Sequence, residues 1–170
     1  MRRPDGIIEI FLQPGELYFG DRYTRIRTLL GSCVSLVCWH PRLLIGGMCH
    51  FMLPTRPHPP TGELDGRYGD EAIELMLREA RVHCVSPMEF RIQLFGGGNM
   101  FPSIARQKDR HVGKKNVDAA RQLLQVHGLT CRGTHVEGVG HRNLIFDLWS
   151  GHVSLKHVSP ALDPRQGTRA

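Results

Sequence analysis

Two nearly continuous apolar segments dominate the hydrophobic pattern of the chain. Residues 33–40 (CVSLVCWH) and 43–53 (LLIGGMCHFML) are separated only by Pro41 and Arg42. Continuous apolar runs are typical of strands buried on both faces, whereas strands with one wet face alternate apolar and polar residues. The pattern therefore predicts a central β-hairpin that other elements cover on both sides.

Shorter segments rich in β-branched or alternating apolar residues predict further strands around this hairpin. One lies within residues 6–16, a second ends near Leu30, and a third lies within 89–101, where apolar residues alternate before three glycines. Three more strands are predicted in the C-terminal third, within residues 129–138, 142–151 and 152–158, with Ser150-Gly151 as a hairpin turn.

Helical periodicity appears twice. Residues 70–84 place apolar side chains along one face and acidic residues in the first turn, and residues 115–128 end in Gly128, which suits a helix C-terminus. Between the hairpin and the first helix, residues 54–69 are rich in Pro, Gly and charge without periodicity. Loops of this length are uncommon in compact domains and are often functional.

These elements predict an α+β fold, a β-sandwich of mixed and antiparallel strands flanked by helices. At 170 residues the chain fits one domain, which we expect to span residues 1–158. Residues 159–170 lack apolar periodicity and predict a disordered C-terminal tail.

Composition excludes several classes of function. The net charge of +6 favours acidic partners, but the basic residues are scattered and no nucleic-acid-binding motif appears, so no nucleic-acid partner is expected. Five cysteines without a C-x-x-C pair indicate a reducing compartment. The N-terminus lacks the apolar stretch of a signal peptide, and no segment approaches the ~18 apolar residues of a membrane span. We therefore expect a cytoplasmic protein without membrane insertion.

The start of the hairpin carries candidate chemistry. A cysteine nucleophile needs a base or a positive field to form its thiolate, and it needs backbone N–H donors for the developing oxyanion. If facing residues of the hairpin sum to about 83, Cys33 and His50 are direct cross-strand neighbours, and Gly31 and Ser32 could supply the amides. The alternative is that Cys33 is a small core residue, as Cys38 and Cys49 are expected to be.

Two other segments have features of a functional site. Cysteines and histidines between 33 and 58 crowd together, but the paired spacing of a zinc site is missing, so no metal is predicted. The segment FGGGNMF lacks the G-K-[ST] ending of a phosphate-binding loop. Its glycines indicate close approach to other backbone or to a substrate, which makes Gly96, Gly97, Gly98 and Asn99 candidates for the substrate cleft.

Five motifs in order carry a resemblance to a known family. TLLGSCVSLVCWHP, GGMCHFMLP, GRYGDEAIELML, FGGGNMF and KKNVDAARQLLQVHGL resemble the CheD family, the chemoreceptor glutamine deamidases of bacterial chemotaxis, over about residues 8–158. The resemblance implies a fold related to toxin-type cysteine deamidases. It also implies hydrolysis of glutamine side chains to glutamate on methyl-accepting chemotaxis receptors, through a cysteine thioester and without a cofactor.

The resemblance assigns Cys33 as nucleophile, His50 as base and Thr28 as the hydroxyl that orients the imidazole. Ser32 is an alternative for that third role, and Gly31 and Ser32 are expected to support the oxyanion. Residues 54–69 and 96–99 would form the cleft walls. The implied partners are receptor cytoplasmic domains and, in some bacteria, a CheC-type phosphatase. The competing function is a non-catalytic adaptor that binds a receptor or the phosphatase without turnover.

Overall fold

The computed structural model of the chain describes residues 1–59, 61–100, 102 and 111–160. The predicted tail at 159–170 therefore lies outside the described residues, except for Ser159 and Pro160. The elements are β1 (Ile8–Leu12), β2 (Leu17–Gly20), β3 (Thr24–Leu30), β4 (Val34–His40), β5 (Ile45–Cys49), α1 (Gly69–Val82), a short 3-10 helix (Pro87–Glu89), β6 (Arg91–Gly96), α2 (His111–Val126), β7 (Cys131–Val136), β8 (His141–Asp147) and β9 (His152–Val158).

The strands form two sheets. A four-stranded sheet has the order β1-β3-β8-β9, and a five-stranded sheet has the order β2-β5-β4-β6-β7. The β1/β3 and β6/β7 pairs are parallel, and the other pairs are antiparallel. The predicted α+β sandwich of mixed strands is therefore confirmed. None of the helices in the described ranges is long and apolar enough to cross a membrane.

The molecule has three layers, and β4 lies in the middle one. All seven residues of β4 are buried. Leu36 and Cys38 pack with the apolar faces of α1 and α2, whereas Val37 and Trp39 pack against the four-stranded sheet. The continuous apolar pattern of this segment is explained because both of its faces meet a core.

The register of the central hairpin differs from the predicted one. Val37 pairs with Met48, so facing residues sum to 85 rather than 83. The prediction was wrong because the turn extends through Leu44, which adopts φ of 55° and donates its N–H to the carbonyl of His40. Cys33 and His50 are therefore diagonal neighbours rather than a direct pair. The shift is two residues, an even number, so both side chains still project from the same face of the sheet.

Other boundaries differ modestly. The sequence pattern missed β2, whose four residues are all half-buried and lack clear alternation. Helix α1 begins at Gly69, and α2 begins four residues before its predicted start. Gly128 has φ of 67°, the left-handed conformation typical of the residue that follows a helix.

The segment between the hairpin and α1 is irregular, as predicted, but it is anchored to the helix. Arg56 donates two hydrogen bonds of 2.7 and 2.6 Å to the buried carboxylate of Glu71, and the backbone N–H of Asp65 donates a third of 3.1 Å. The Arg56 guanidinium lowers the pKa of Glu71. One helical carboxylate thus holds both sides of the loop that follows the hairpin.

Replacing Glu71 with alanine should release this loop. Loss of charge-assisted hydrogen bonds should lower the free energy of unfolding by roughly 1.5–3 kcal/mol, measured by urea denaturation. Limited proteolysis should also become faster between residues 57 and 63. Glu74→Ala is the matched control, because the ion pairs of Glu74 with Arg78 and Arg81 lie on the surface of the same helix, and such pairs contribute about 0–1 kcal/mol. Equal effects of the two variants would contradict the anchoring role.

Candidate active site

Three side chains that the sequence singled out lie between the two sheets, near one end of the sandwich. Thr28 projects inward from β3 and is fully buried. His50 follows β5 directly and is 2% exposed. Cys33 immediately precedes β4, is half-buried and packs against the core between the sheets. The topology thus brings residues from both sheets to one place.

A hydrogen bond joins Thr28 to His50 across the sandwich. Thr28 Oγ1 lies 2.7 Å from His50 Nδ1 and 2.9 Å from the carbonyl oxygen of Leu12. A carbonyl can only accept a hydrogen bond, so the single O–H of Thr28 donates to the Leu12 carbonyl. The hydroxyl oxygen must therefore accept a hydrogen bond from the N–H of His50. The neutral imidazole therefore carries its proton on Nδ1, and its Nε2 has a free lone pair.

The free ring nitrogen is in an unusual environment. His50 Nε2 is buried and has no hydrogen-bond partner in the part of the chain that the structure describes. Burial lowers the pKa of His50 to about 4, although the carboxylate of Glu16 opposes the shift. The imidazole is accordingly neutral at neutral pH, and the lone pair on its Nε2 is available.

Cys33 is not part of a preformed ion pair. Burial raises the pKa of its thiol, and no hydrogen bond between its sulfur and His50 occurs among the described residues. Diagonal neighbours across an antiparallel pair are roughly 7–8 Å apart, and catalytic hydrogen bonds often shorten only when substrate binds. The arrangement suits a neutral thiol that passes its proton to a neutral base during attack.

The backbone around Cys33 is fixed through its carbonyl groups. Gly98 N–H donates to the carbonyl of Gly31 (2.9 Å), and Gly97 N–H donates to that of Cys33 (2.8 Å). Gly96 has φ of 105°, and a Cβ there would lie 2.2 Å from the Cys33 oxygen. Gly96 is therefore required for the close approach of its backbone to the Cys33 carbonyl.

The candidate cleft residues are thus placed in two environments. Gly96, Gly97 and Gly98 are buried, whereas Asn99 is half-buried at the end of the segment. Ser32, the alternative orienting hydroxyl, makes no side-chain hydrogen bond to His50 in the described part of the chain. Its carbonyl accepts a hydrogen bond of 3.2 Å from the side chain of Asn116.

Two polar residues near this site were not predicted from the sequence. Ser35 is the direct cross-strand neighbour of His50 when the register of β4 and β5 is continued from Val34 and Phe51, and its buried hydroxyl has no partner among the described residues. Asn116 is fully buried in α2. The β4/β5 register would have placed Ser35 opposite His50 if the length of the turn between these strands had been known. Nothing in the local sequence identifies the contacts of Asn116. Within the described ranges, no group of three or more His, Cys, Asp or Glu side chains could hold a metal ion.

Comparison with known proteins identifies the family. Residues 52–157 match the family described as CheD chemotactic sensory transduction. Over 92% of its length, the chain is 49% identical to the "Probable chemoreceptor glutamine deamidase CheD" of Pseudomonas syringae pv. tomato, of which 94% is covered. The chain belongs to the CheD family.

The chain is also similar to CheD proteins of other bacteria. The "Probable chemoreceptor glutamine deamidase CheD 3" of Dechloromonas aromatica is 49% identical, with 89% of both chains covered. A CheD 1 protein of Leptospira interrogans is 38% identical over 88% of this chain and 93% of its own. Among solved structures, Bacillus licheniformis hypothetical protein YfiH aligns with 72% of this chain and 49% of its own, with a TM-score of 0.43 and 14% identity.

The His50 imidazole should titrate far below an ordinary histidine. Its half-protonation is expected at about pH 4, measured from its ring signals by NMR. An unfolded chain would take up this proton near pH 6.5. The free energy of unfolding should therefore fall as pH decreases from about 6.5 towards 4, because the unfolded state binds the proton first. Titration near pH 6.5 in the folded protein would contradict the buried, neutral ring.

Replacing Thr28 with valine tests the tautomer. The isosteric change leaves the Leu12 carbonyl and the Nδ1 proton without their shared partner, which should lower the free energy of unfolding by roughly 1–3 kcal/mol. Imidazole nitrogen shifts should show that the Nδ1-protonated form is no longer dominant. Thr28→Ser keeps the hydroxyl and should retain the wild-type tautomer. Unchanged shifts in Thr28→Val would show that another group sets the protonation of the ring.

Proposed function

We propose that this CheD-family chain hydrolyses glutamine side chains of chemoreceptors to glutamate, with Cys33, His50 and Thr28 as its catalytic group. The names of its relatives support the reaction and the substrate class. The observation that carries the assignment of residues is the Thr28–His50 hydrogen bond, because it leaves Nε2 unprotonated on the face of the sheet that also bears Cys33.

The reaction begins with proton transfer from the Cys33 thiol to His50 Nε2. The sulfur attacks the side-chain carbonyl carbon of the glutamine and forms a tetrahedral intermediate. The imidazolium then returns the proton to the amide nitrogen, which leaves as ammonia, and a γ-glutamyl thioester remains. Water, deprotonated by His50, hydrolyses the thioester to glutamate and regenerates the thiol. No metal or organic cofactor takes part in these steps.

Thr28 acts on the imidazole as a carboxylate or amide does in other Cys-His sites. Its oxygen accepts a hydrogen bond from Nδ1–H in both the neutral and the protonated ring. This bond fixes the orientation of the imidazole and stabilises the imidazolium. Leu12 completes the arrangement because its carbonyl accepts the Thr28 hydroxyl proton. Ser32 contributes through its backbone rather than through its hydroxyl in this proposal.

The oxyanion is held by backbone N–H groups next to the nucleophile. The carbonyls of Gly31, Ser32 and Cys33 all accept hydrogen bonds from within the protein, whereas the N–H groups of Ser32 and Cys33 have no acceptor among the described residues. Donors fixed in advance are worth most when they face the charge that develops in the transition state. In this proposal Gly31 and Ser32 take the role of supporting the oxyanion, which stays a prediction from the sequence.

The substrate would approach where the site meets the surface. We assign the cleft walls to residues 54–69 and to the segment ending at Asn99. Met52 and Leu53, the second and third residues after His50, are 37% and 45% exposed and present apolar contacts beside the site. In this proposal the reaction takes place in the cytoplasm on receptor cytoplasmic domains, and a CheC-type phosphatase is a second proposed partner.

The test is mass spectrometry of a purified receptor cytoplasmic domain after incubation with the enzyme. Conversion of one glutamine to glutamate adds about one mass unit, and the gain should disappear with Cys33→Ala because the nucleophile is lost. Cys38→Ala is a matched control, since Cys38 is a buried core thiol. Receptor binding by the wild-type chain without any mass gain would favour the non-catalytic adaptor.

A further inference from the structure

Asn116 connects the two backbone segments that carry the site. Its side-chain Nδ2 donates to the carbonyl of Ser32 (3.2 Å) and to the carbonyl of Met52 (2.9 Å). Both partners can only accept, so the amide nitrogen must face them and both of its protons are used. One side chain of α2 therefore binds the residue before the nucleophile and the second residue after the base.

The bond to Ser32 determines where the amide of Cys33 points. The Ser32 carbonyl and the Cys33 N–H belong to one peptide plane, and this peptide bond is trans. In a trans peptide the two groups point in opposite directions. Because Asn116 holds the carbonyl on the side of α2, the Cys33 N–H is directed away from the helix. It has no acceptor in the part of the chain that the structure describes.

Packing alone does not account for an asparagine at this position. Asn116 is completely buried, and its Oδ1 has no hydrogen-bond partner among the described residues. An unpaired buried acceptor is unfavourable, and an apolar side chain would avoid it. The neighbouring inward positions of α2, Val117, Ala120 and Leu124, are apolar. The two donated hydrogen bonds are what distinguish Asn116 from them.

We propose that Asn116 is a positioning residue that orients the Cys33 N–H as an oxyanion donor. This inference rests on the proposed deamidase function. Asn116 does not touch the substrate. It acts through the Ser32–Cys33 peptide, while Gly97 and Gly98 hold the two neighbouring carbonyls.

Two reactions of the same thiol separate this role from a merely structural one. Deamidation passes through an oxyanion and depends on the orientation of the Cys33 N–H. Alkylation of Cys33 by iodoacetamide is a direct substitution at carbon and forms no oxyanion. Loss of the positioning residue should therefore slow deamidation much more than alkylation.

The experiment compares the full-length wild type with Asn116→Ala, Asn116→Asp and Leu124→Ala. Asn116→Asp keeps the shape but places oxygen against the two carbonyls, and Leu124→Ala removes a buried α2 side chain that lies in the apolar core. Receptor deamidation gives kcat and KM, peptide-resolved mass spectrometry gives the Cys33 alkylation rate, and thermal unfolding establishes that each variant is folded at the assay temperature.

Both Asn116 variants should lose roughly 10- to 100-fold in kcat, because a displaced oxyanion donor acts on the transition state. KM and the Cys33 alkylation rate should change by less than about threefold, since neither depends on the oxyanion. Leu124→Ala should lower the unfolding temperature without this separation of the two rates.

Wild-type kcat in both variants, or an equal loss of deamidation and alkylation, would overturn the positioning role while the proposed function stands. Absence of Cys33-dependent deamidation by the wild-type protein would overturn the proposed function, and this inference with it. The wild-type and Cys33→Ala reactions run in parallel therefore distinguish the two failures.

Discussion

Two backbone hydrogen bonds between Val34 and Phe51, of 3.1 and 3.0 Å, hold the hairpin together beyond the last regular residue of β5. Val34 and Phe51 both point towards the helices, where they are fully buried. Side chains alternate along a strand, so the residues that precede them, Cys33 and His50, are turned to the opposite face. The core beneath the helices thus sets the direction of the Cys33 and His50 side chains.

Much of the fold follows from sequence pattern because burial on one or two faces leaves a clear period. The continuous apolar run of β4, the acidic start of α1 and the turn at Gly151 are all found where the pattern places them. β2 was missed because its residues are uniformly half-buried. The register of the hairpin was wrong because Leu43 and Leu44, although apolar, belong to the turn.

Some features of the site could likewise be predicted from the sequence, and others could not. The Gly31-Ser32-Cys33 sequence and the family motifs identified the three candidate residues. Even the incorrect register kept Cys33 and His50 on one face of the sheet. The tautomer of His50 depends on the Leu12 carbonyl, which reaches the site through the parallel pairing of β1 with β3. The contacts of Asn116 join segments 64 and 84 residues away in sequence. Such long-range contacts leave no local pattern to read.

The raised pKa of the Cys33 thiol has a consequence for its sensitivity to oxidation. Peroxides and other oxidants react with thiolates, and protonated thiols are comparatively inert. With its proton retained and His50 neutral, the Cys33 thiol should be slow to oxidise to sulfenic acid. If Cys33 is the nucleophile, as proposed, its thiol would lose its proton only as it attacks a bound carbonyl. The weak acidity of the thiol would then itself favour the substrate over other electrophiles.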